Sequence, residues 1–333
     1  MEMQGTPPSF IERYFKIREK GSSVRTELIA GLTTFIAMAY ILFVNPNILA
    51  DAGIPKDAAI ASTIWIAALA SMAMGVFANY PVALAPGMGL NAFFAYYVCG
   101  VLGLHWTVAL GAVFFSGVLF LILTVGGIRQ AIINAVPRDL KLAISVGIGL
   151  FIAFIGLKGT GLIVENSATY VSLGGHVTAP TTLLSLFGLL FTAALMARNV
   201  HGSILIGIFV TTVLAMALGM TPAPQGLGDI VSTSLPHMGG TFGQLDLAGA
   251  WNYGLVSIIF TFTVVELFDN MGTLIGLTTK AKMVKPDGHI ENIDKALTTD
   301  AVGTMVSAVF GTSTVTSYIE SAAGIAAGGR TGL

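Results

Sequence analysis

The chain has 333 residues, of which 54% are hydrophobic and 10% are charged, and its mean hydropathy is +0.83. Soluble domains carry about 25% charged residues, so this composition excludes a soluble domain and indicates a polytopic membrane protein. The net charge of −1 gives no sign of nucleic-acid binding, and the single cysteine, Cys99, excludes an intramolecular disulfide. Because the five histidines lack ligand spacing, we expect neither a metal site nor an enzyme.

The segment 1–26 is basic and lacks the apolar core of a signal peptide, so we expect it to be a cytoplasmic lead-in. The later loops predicted on the same side hold most of the remaining lysines and arginines, whereas the outer side holds only Lys56 and Lys158. Positive residues concentrate on the cytoplasmic side of membrane proteins. We therefore predict an integral protein of the plasma (inner) membrane with a cytoplasmic N-terminus.

Ten apolar segments follow in chain order. A membrane-spanning helix requires about 20 mostly apolar residues, and the segments meet or approach that length. They cover residues 28–45, 58–78, 81–101, 104–125, 142–163, 181–197, 202–220, 251–276, 297–311 and 313–329. The fold class is therefore predicted to be an all-α polytopic membrane protein.

Two of these segments cannot be ordinary helices. In segment three, prolines and glycines at positions 81, 86, 87 and 89 predict an extended half-strand at Val82–Ala85 and a half-helix at Leu90–Val98. Segment ten repeats this design, because a run of β-branched and hydroxyl residues, Thr312–Ser317, precedes a helical Tyr318–Ala327. Irregular backbone at membrane depth persists only where protein or a watery cavity satisfies its polar groups, so both segments mark a candidate binding site.

Three carboxylates lie in otherwise apolar stretches. Glu266 and Asp269 interrupt segment eight, and Glu320 lies in segment ten. A charged side chain near the bilayer centre costs roughly 2.5–3.5 kcal/mol on insertion scales, so such groups usually face a polar cavity or a ligand. The alternative is that these acids are protonated or bond backbone groups that the broken helices leave open.

The two halves of the chain align at a constant offset, because Asn91 is as far from Glu320 along the sequence as Ala37 is from Glu266. The sequence similarity between the halves is weak, but both broken segments have strand-then-helix character. Paired broken segments of this kind are typical of inverted-repeat transporters. We therefore expect an internal duplication.

Five ordered strings carry a family resemblance. They are GLTTFIAMAYILFVNPNIL (31–49), ALAPGMGLNAFFAY (83–96), ELFDNMGTLIGL (266–277), DAVGTMVSAVFGTSTVTSYIES (300–321) and AAGGRTGL (326–333). They closely resemble the purine-permease (azaguanine-resistance-like) branch of the nucleobase–ascorbate transporter superfamily. This resemblance implies symport of adenine, guanine or hypoxanthine, with the proton as coupling ion and no cofactor. It also implies a homodimer in contact with membrane lipid.

The same resemblance implies a seven-plus-seven inverted-repeat transporter fold, in which a gate domain rocks against a core domain that contains the crossed half-strands. On that pattern, residues 27–128 and 251–333 belong to the core, residues 129–220 to the gate, and residues 221–250 to an extracytoplasmic loop. Because the chain ends at Leu333, just after segment ten, we expect the last four helices of that fold to be absent.

The resemblance assigns the substrate site residue by residue. Glu266 matches an acid that bonds the nucleobase and is linked to proton coupling, and Glu320 matches the position that holds the base from its other edge. Asn91 matches the asparagine of segment three. Asn270 shares the helical face of Glu266 and is a further substrate-binding candidate. Phe93 is a candidate for stacking on the base.

Asp269, one helical turn after Glu266, and Asp300, which matches an acid in segment nine, are the further candidates for proton coupling. Main-chain N–H groups near Leu90–Asn91 and Ile319–Glu320 are expected to add donors at the half-helix starts. Structural alternatives remain open: Asn91 could be an N-cap, Asp300 could lie at a helix start, Asp269 could solvate a helix break, and Phe93 could belong to the core.

Two other functions remain open. The first is a related pyrimidine, xanthine or anion carrier of the same fold. An anion would require Arg or Lys near the half-helix starts, and segments three and ten have none at that depth. The second is a non-transporting fragment or assembly subunit, which the missing helices suggest.

Overall fold

The structure is a computed structural model that describes residues 9–126, 138–174, 178–200, 202–226, 237–252, 256–285 and 290–333. The helices are α1 (Phe10–Tyr14), α2 (Val24–Met38), α3 (Ile41–Asp51), α4 (Lys56–Ala73), α5 (Met88–Ala92), α6 (Trp106–Val125), α7 (Arg138–Gly159), α8 (Pro180–Ala197), α9 (Ser203–Ala217), α10 (Leu247–Asn252), α11 (Val256–Lys280), α12 (Ile293–Phe310) and α13 (Ser321–Ala326). The strands are β1 (Leu84–Pro86), β2 (Ile163–Asn166), β3 (Tyr170–Leu173) and β4 (Val315–Ser317). π-Helical turns at Met74–Ala78 and Phe93–Val101 extend α4 and α5.

Five helical spans in the described part of the chain are long and apolar enough to cross a membrane. They are Val24–Asp51, Lys56–Ala78, Trp106–Val125, Pro180–Ala197 and Val256–Lys280, and the shorter apolar helices are Met88–Val101, Gly149–Gly159 and Ser203–Ala217. The protein is therefore a mostly helical integral membrane protein, which confirms that part of the sequence-based prediction.

Segments three and ten each contain the expected half-strand, and the two half-strands pair. β1 and β4 run antiparallel, with Leu84 opposite Ser317, Ala85 opposite Thr316 and Pro86 opposite Val315. We call this two-stranded ribbon the strand crossing. β1 begins at Leu84, slightly later than the predicted Val82–Ala85. The crossing joins the first broken segment to the second, so it fixes the two halves of the chain against each other.

Several boundaries differ from the prediction. Segment one bends at Ala39–Tyr40, between the end of α2 and the start of α3. α12 begins at Ile293, so Asp300 lies inside a helix and the interpretation of Asp300 as a helix start is wrong. α7 ends at Gly159, and the next residues form a β2–β3 hairpin that was not predicted. The hairpin turn is held by Asn166, whose side chain accepts from two main-chain N–H groups at 2.9 and 3.1 Å.

The strand crossing lies in the interior of the described structure. Leu84 of β1 and Val315 of β4 are fully buried and belong to a cluster with Phe120 of α6, Leu267 of α11 and Ala301 of α12. A second cluster, with Tyr40, Ala85 and Tyr318, lies on the side of α2 and α3 and is covered by Ile204 and Ile208 of α9. Apolar packing therefore surrounds the polar backbone of the crossing and leaves its hydrogen bonds to be completed by protein groups.

Candidate functional site

The outer edges of the strand crossing are completed by two hydroxyl groups. The Ser71 hydroxyl of α4 donates to the carbonyl of Leu84 and accepts from its N–H, both at 2.9 Å. On the other edge, Thr304 Oγ1 of α12 accepts from the N–H of Val315 at 3.1 Å. Unpaired main-chain groups are costly away from water, so each hydroxyl takes the place of a further strand.

Glu266 lies on α11, is fully buried and faces α12. Thr304 Oγ1 donates to Glu266 Oε1, which places the same hydroxyl between the carboxylate and the edge of β4. Glu266 Oε2 has no hydrogen-bond partner among the described residues. Since a buried polar atom is normally bonded, Oε2 is available for a ligand.

Asp269, Asn270 and Asp300 extend this polar region. Thr316 Oγ1 of β4 donates to Asp269 Oδ2 at 3.1 Å, so Asp269 is held against the crossing. Asp300 and Asn270 are fully buried neighbours, and the polar side-chain atoms of both lack hydrogen bonds of normal geometry. We call Glu266, Asp269 and Asp300 the acidic cluster, because the three carboxylates interact electrostatically. None of them forms an ion pair with a lysine or arginine of the described residues.

Glu320 directly precedes α13 and is partly buried. Its Oε1 accepts a hydrogen bond of 2.5 Å from the hydroxyl of Tyr40, which lies at the bend between α2 and α3. Tyr318 fixes the same turn from the other side, because its hydroxyl donates to the carbonyl of Pro86 at 2.5 Å and its N–H to that of Ala83 at 3.0 Å. Glu320 is thus anchored to both β1 and the first membrane span.

Asn91 lies in α5 and is fully buried. Its Nδ2 donates to Oδ1 of Asn45, a residue of α3, while its own Oδ1 has no partner. Asn45 in turn donates to Thr63 Oγ1 at 2.7 Å and to Thr312 Oγ1 at 3.3 Å. Asn91 is not the N-cap of its helix, since Gly87 occupies that position. The interpretation of Asn91 as an N-cap is therefore wrong.

Phe93, the candidate stacking residue, is partly buried and lies just beyond Asn91. Its ring stacks on Tyr97 and packs edge-on against Phe262, with ring centroids 5.1 Å apart in both cases. These contacts place Phe93 in an aromatic cluster between α5 and α11. A role in substrate stacking stays a prediction.

The expected main-chain donors are partly in use within the chain. The N–H of Asn91 donates to the carbonyl of Gly87 at 2.9 Å. After Glu320, the N–H groups of Ser321, Ala322 and Ala323 bond the carbonyls of the preceding turn at 2.9 to 3.0 Å. Asn91 and residues 321–323 therefore do not offer a free main-chain donor in this structure.

The structure brings polar side chains of α11, α12 and β4 together beside the strand crossing. That the predicted residues bind a substrate stays a prediction. Sequence reasoning missed Tyr40, Asn45, Thr304 and Thr316, which hold the predicted residues in place. One signal was present, because the offset that pairs Ala37 with Glu266 also pairs Tyr40 with Asp269. Within the described ranges, no group of three His, Cys, Asp or Glu side chains is arranged to hold a metal ion.

Comparison with protein families matches residues 25–332 to the Permease family. Adenine permease AdeP of Escherichia coli K12 is 46% identical over 330 residues, which cover 99% of this chain and 73% of that protein. Guanine/hypoxanthine permease PbuO of Bacillus subtilis 168 is 42% identical over 330 residues, which cover 96% of this chain and 74% of that protein. Similarity to these permeases therefore runs through all of the site described above.

Among solved structures, the transmembrane domain of the cyanobacterial bicarbonate transporter BicA superposes with a TM-score of 0.60. The superposition covers 93% of this chain and 78% of that domain, at 15% sequence identity. At this identity the likeness shows the fold alone. The chain thus shares its architecture with membrane transporters, whereas its sequence relatives are nucleobase permeases.

Proposed function

We propose that this chain, which belongs to the Permease family and within it to the nucleobase–ascorbate transporters that its motifs resemble, transports purine nucleobases across the membrane. The proposal is carried by one observation: the interior around the strand crossing of a membrane transporter fold holds buried polar side chains, among them Glu266 and Asn91, each with an oxygen that has no hydrogen-bond partner among the described residues. Relatives named for adenine, guanine and hypoxanthine transport support purines as the substrate class.

A purine base suits the chemistry of these groups. Its edges present N–H donors and ring-nitrogen or carbonyl acceptors in one plane. Glu266 and Glu320 offer carboxylate oxygens to the donors, and the amide of Asn270 can bond either kind of group. The described half-helices α5 and α13 carry no lysine or arginine, which makes an anion the weaker candidate. A pyrimidine or xanthine carrier of the same fold is the second candidate.

We propose further that the acidic cluster couples transport to protons. Three neighbouring carboxylates in a water-poor interior repel one another when all are ionised, and a proton bound among them relieves that repulsion. Thr304 joins Glu266 of this cluster to the backbone of β4. Binding or release of a proton at Glu266 therefore acts on the same backbone that supports the substrate site.

The inverted repeat and the division into core and gate are part of the proposal. A hydroxyl bonds the outer edge of each strand, Ser71 on Leu84 and Thr304 on Val315. In each half, a residue with positive φ ends the helix before the strand, Asn79 at 55° in the first and Gly311 at 85° in the second. These matched features support a duplication. The assignment of residues 129–220 to a gate rests on the family resemblance and is part of the proposal. The homodimer stays a prediction.

The experiment is purine uptake by cells that lack their own purine transport. Cells producing a full-length version of the protein should accumulate radiolabelled adenine, guanine or hypoxanthine, and Glu266→Ala and Glu320→Ala should each abolish uptake without loss of protein from the membrane. Glu266→Gln should impair accumulation more than binding, because an amide keeps hydrogen-bonding capacity but cannot release a proton. Glu165→Ala, in the exposed hairpin, is the matched control. Uptake at the parental rate by both site variants would place the site elsewhere.

A labelling experiment tests the proposed orientation. With Cys99 replaced first, a cysteine at the exposed position Lys285 should react only from the cytoplasm, and one at the exposed Ser167 only from outside. Asp229, near which the sequence also predicts outside labelling, lies outside the described residues. Reversed labelling would overturn the cytoplasmic N-terminus.

A further inference from the structure

The side chain of Asn91 is held by a hydrogen-bonded series that begins at a main-chain carbonyl. Thr63 Oγ1 lies 2.6 Å from the carbonyl oxygen of Ala59, one turn earlier in α4. A carbonyl oxygen can only accept, so the Thr63 hydroxyl proton points to Ala59. The oxygen of Thr63 is then left as an acceptor for its next neighbour.

That neighbour is Asn45, which is fully buried. Because Thr63 Oγ1 can only accept, the atom of Asn45 that lies 2.7 Å from it must be the donor Nδ2. The alternative orientation of the amide would place two acceptors against each other. The orientation of an asparagine amide follows from its partners in this way. Asn45 Oδ1 is thereby turned toward Asn91.

Asn91 completes the series. Its Nδ2 donates to Asn45 Oδ1, so its own Oδ1 is the atom that remains. Within the part of the chain that the structure describes, this Oδ1 has no hydrogen-bond partner although Asn91 is fully buried. A carbonyl oxygen without a partner at a buried position is unusual, and it is an acceptor with a fixed direction. The orientation of the Asn91 amide, with Nδ2 as donor to Asn45 and Oδ1 left as acceptor, is therefore determined by Thr63 at the start of the series.

We infer that Asn45 is a positioning residue that fixes Asn91 as a hydrogen-bond acceptor, so that the substrate must present an N–H donor at this position. The inference rests on the proposed function. It adds a requirement on the substrate that does not follow from membership of the family. A base with an acceptor at the same position meets the Asn91 oxygen with a second acceptor. Asn91 cannot turn its amide to accommodate that base while Asn45 holds Nδ2.

The test compares bases that differ in where their N–H donors lie, without added bulk. Adenine and hypoxanthine have opposite polarity at positions 1 and 6, and 7-deazaadenine and 9-deazaadenine place the N–H of the five-membered ring on opposite sides. Dissociation constants are measured by equilibrium binding to the purified protein. The parental protein should discriminate within at least one of these two pairs by roughly 5- to 150-fold, the effect of leaving one buried acceptor without its partner.

Asn45→Ala frees the amide of Asn91 to turn, so the dissociation constants of the discriminated pair should approach each other. Asn47→Ala is the matched control, because Asn47 lies on the same helix, is exposed and donates only to Phe43 within α3. It should keep the parental ratio. Thr63→Val breaks the series one bond earlier and should also reduce the ratio of the two dissociation constants. Thr63→Ser keeps the hydroxyl and should show the parental ratio.

The outcomes separate the two proposals. If the parental protein bound none of these bases, the proposed function would fail. If it bound them without discriminating within either pair, or if Asn45→Ala and Thr63→Val weakened all bases by one common factor, purine binding would stand and the role of Asn45 would be refuted. A ratio that collapses in Asn45→Ala and Thr63→Val but not in Asn47→Ala supports the inference.

Discussion

Thr304 is the most informative single residue to change. Its hydroxyl donates to Glu266 Oε1 and accepts from the N–H of Val315 at 3.1 Å, so one group connects the acidic cluster to the strand crossing. Thr304→Val keeps the branched shape of the side chain and removes these hydrogen bonds, together with a longer contact of 3.4 Å from the hydroxyl to the carbonyl of Val315. Because Thr304 is fully buried, water does not replace them.

The expected size of the effect follows from the partners that are left. Glu266 Oε2 already lacks a hydrogen bond, so Thr304→Val removes the remaining one from a fully buried carboxyl group. A buried polar group that loses its partner costs about 1–3 kcal/mol. If that loss appears in substrate binding, the dissociation constant rises roughly 5- to 150-fold. The unbonded N–H of Val315 lowers the free energy of unfolding by a similar amount, about 1–3 kcal/mol.

The assay is equilibrium binding of adenine or hypoxanthine to purified variants, together with thermal unfolding in the same detergent. Thr299→Val is the matched control, because Thr299 lies on α12 and its hydroxyl only bonds the carbonyl of Lys295 in its own helix, at 2.8 Å. Thr304→Ser should restore binding. If Thr304→Val bound the base as tightly as Thr299→Val, the orientation of Glu266 by Thr304 would be irrelevant and this reasoning would be refuted.

Two further predictions concern neighbouring contacts. Tyr40→Phe removes the hydroxyl that bonds Glu320 and should weaken purine binding by roughly ten-fold. Tyr96→Phe breaks a comparable 2.8 Å bond to an aspartate and should leave purine binding unchanged. Equal dissociation constants in the two variants would contradict a role of Tyr40 at the site. Gly324→Ala places a Cβ about 2.1 Å from a threonine oxygen and 2.5 Å from a carbonyl oxygen of α2 and should lower the free energy of unfolding by about 1–3 kcal/mol. Gly272→Ala should leave the free energy of unfolding unchanged, because no atom from another part of the structure lies within 4 Å of the added Cβ. An unchanged unfolding midpoint in both variants would show that α13 does not pack on α2 in this way.

The broken segments could be predicted from sequence because their signals are local. Proline and glycine in segment three exclude a continuous helix, and the β-branched run before Tyr318 favours a strand whatever surrounds it. The common face of Glu266, Asp269 and Asn270 follows from helical spacing alone. What could not be read locally is the register of the ribbon, because β1 and β4 lie in opposite halves of the chain and each is very short.

The supporting polar residues were missed for a different reason. Thr304 looks in sequence like Thr263 or Thr278, two buried threonines whose hydroxyls bond carbonyls in the preceding turn of their own helix, at 2.8 and 2.7 Å. A threonine in an apolar helix commonly bonds a carbonyl of the preceding turn in this way. Only tertiary packing distinguishes the threonine that reaches a carboxylate. Tyr40 and Asn45 are hidden in the same way inside an apolar span.

The first membrane span, Val24–Asp51, has a structural role that follows from these contacts together. Tyr40 bonds Glu320 before one half-helix, and Asn45 bonds Asn91 in the other. At the start of the span, Glu27 accepts from the main-chain N–H groups of Arg330 and Thr331, just after α13, at 3.0 to 3.2 Å. One membrane span therefore fixes polar groups that belong to both halves of the chain.

With Asn91 and Glu320 as the proposed substrate contacts, these hydrogen bonds would tie substrate binding to the position of that span. Hydrogen bonds weaken steeply with distance and angle, so a shift of Val24–Asp51 relative to the strand crossing would loosen the supports of Asn91 and Glu320 at the same time. A base held between Asn91 and Glu320 needs both supports in place, and it therefore stabilises the arrangement in which the span lies against the crossing. By reciprocity, any change that moves the span away must weaken binding of the base by the same free energy. The proposed site and the first membrane span are thus thermodynamically linked through two side chains, Tyr40 and Asn45.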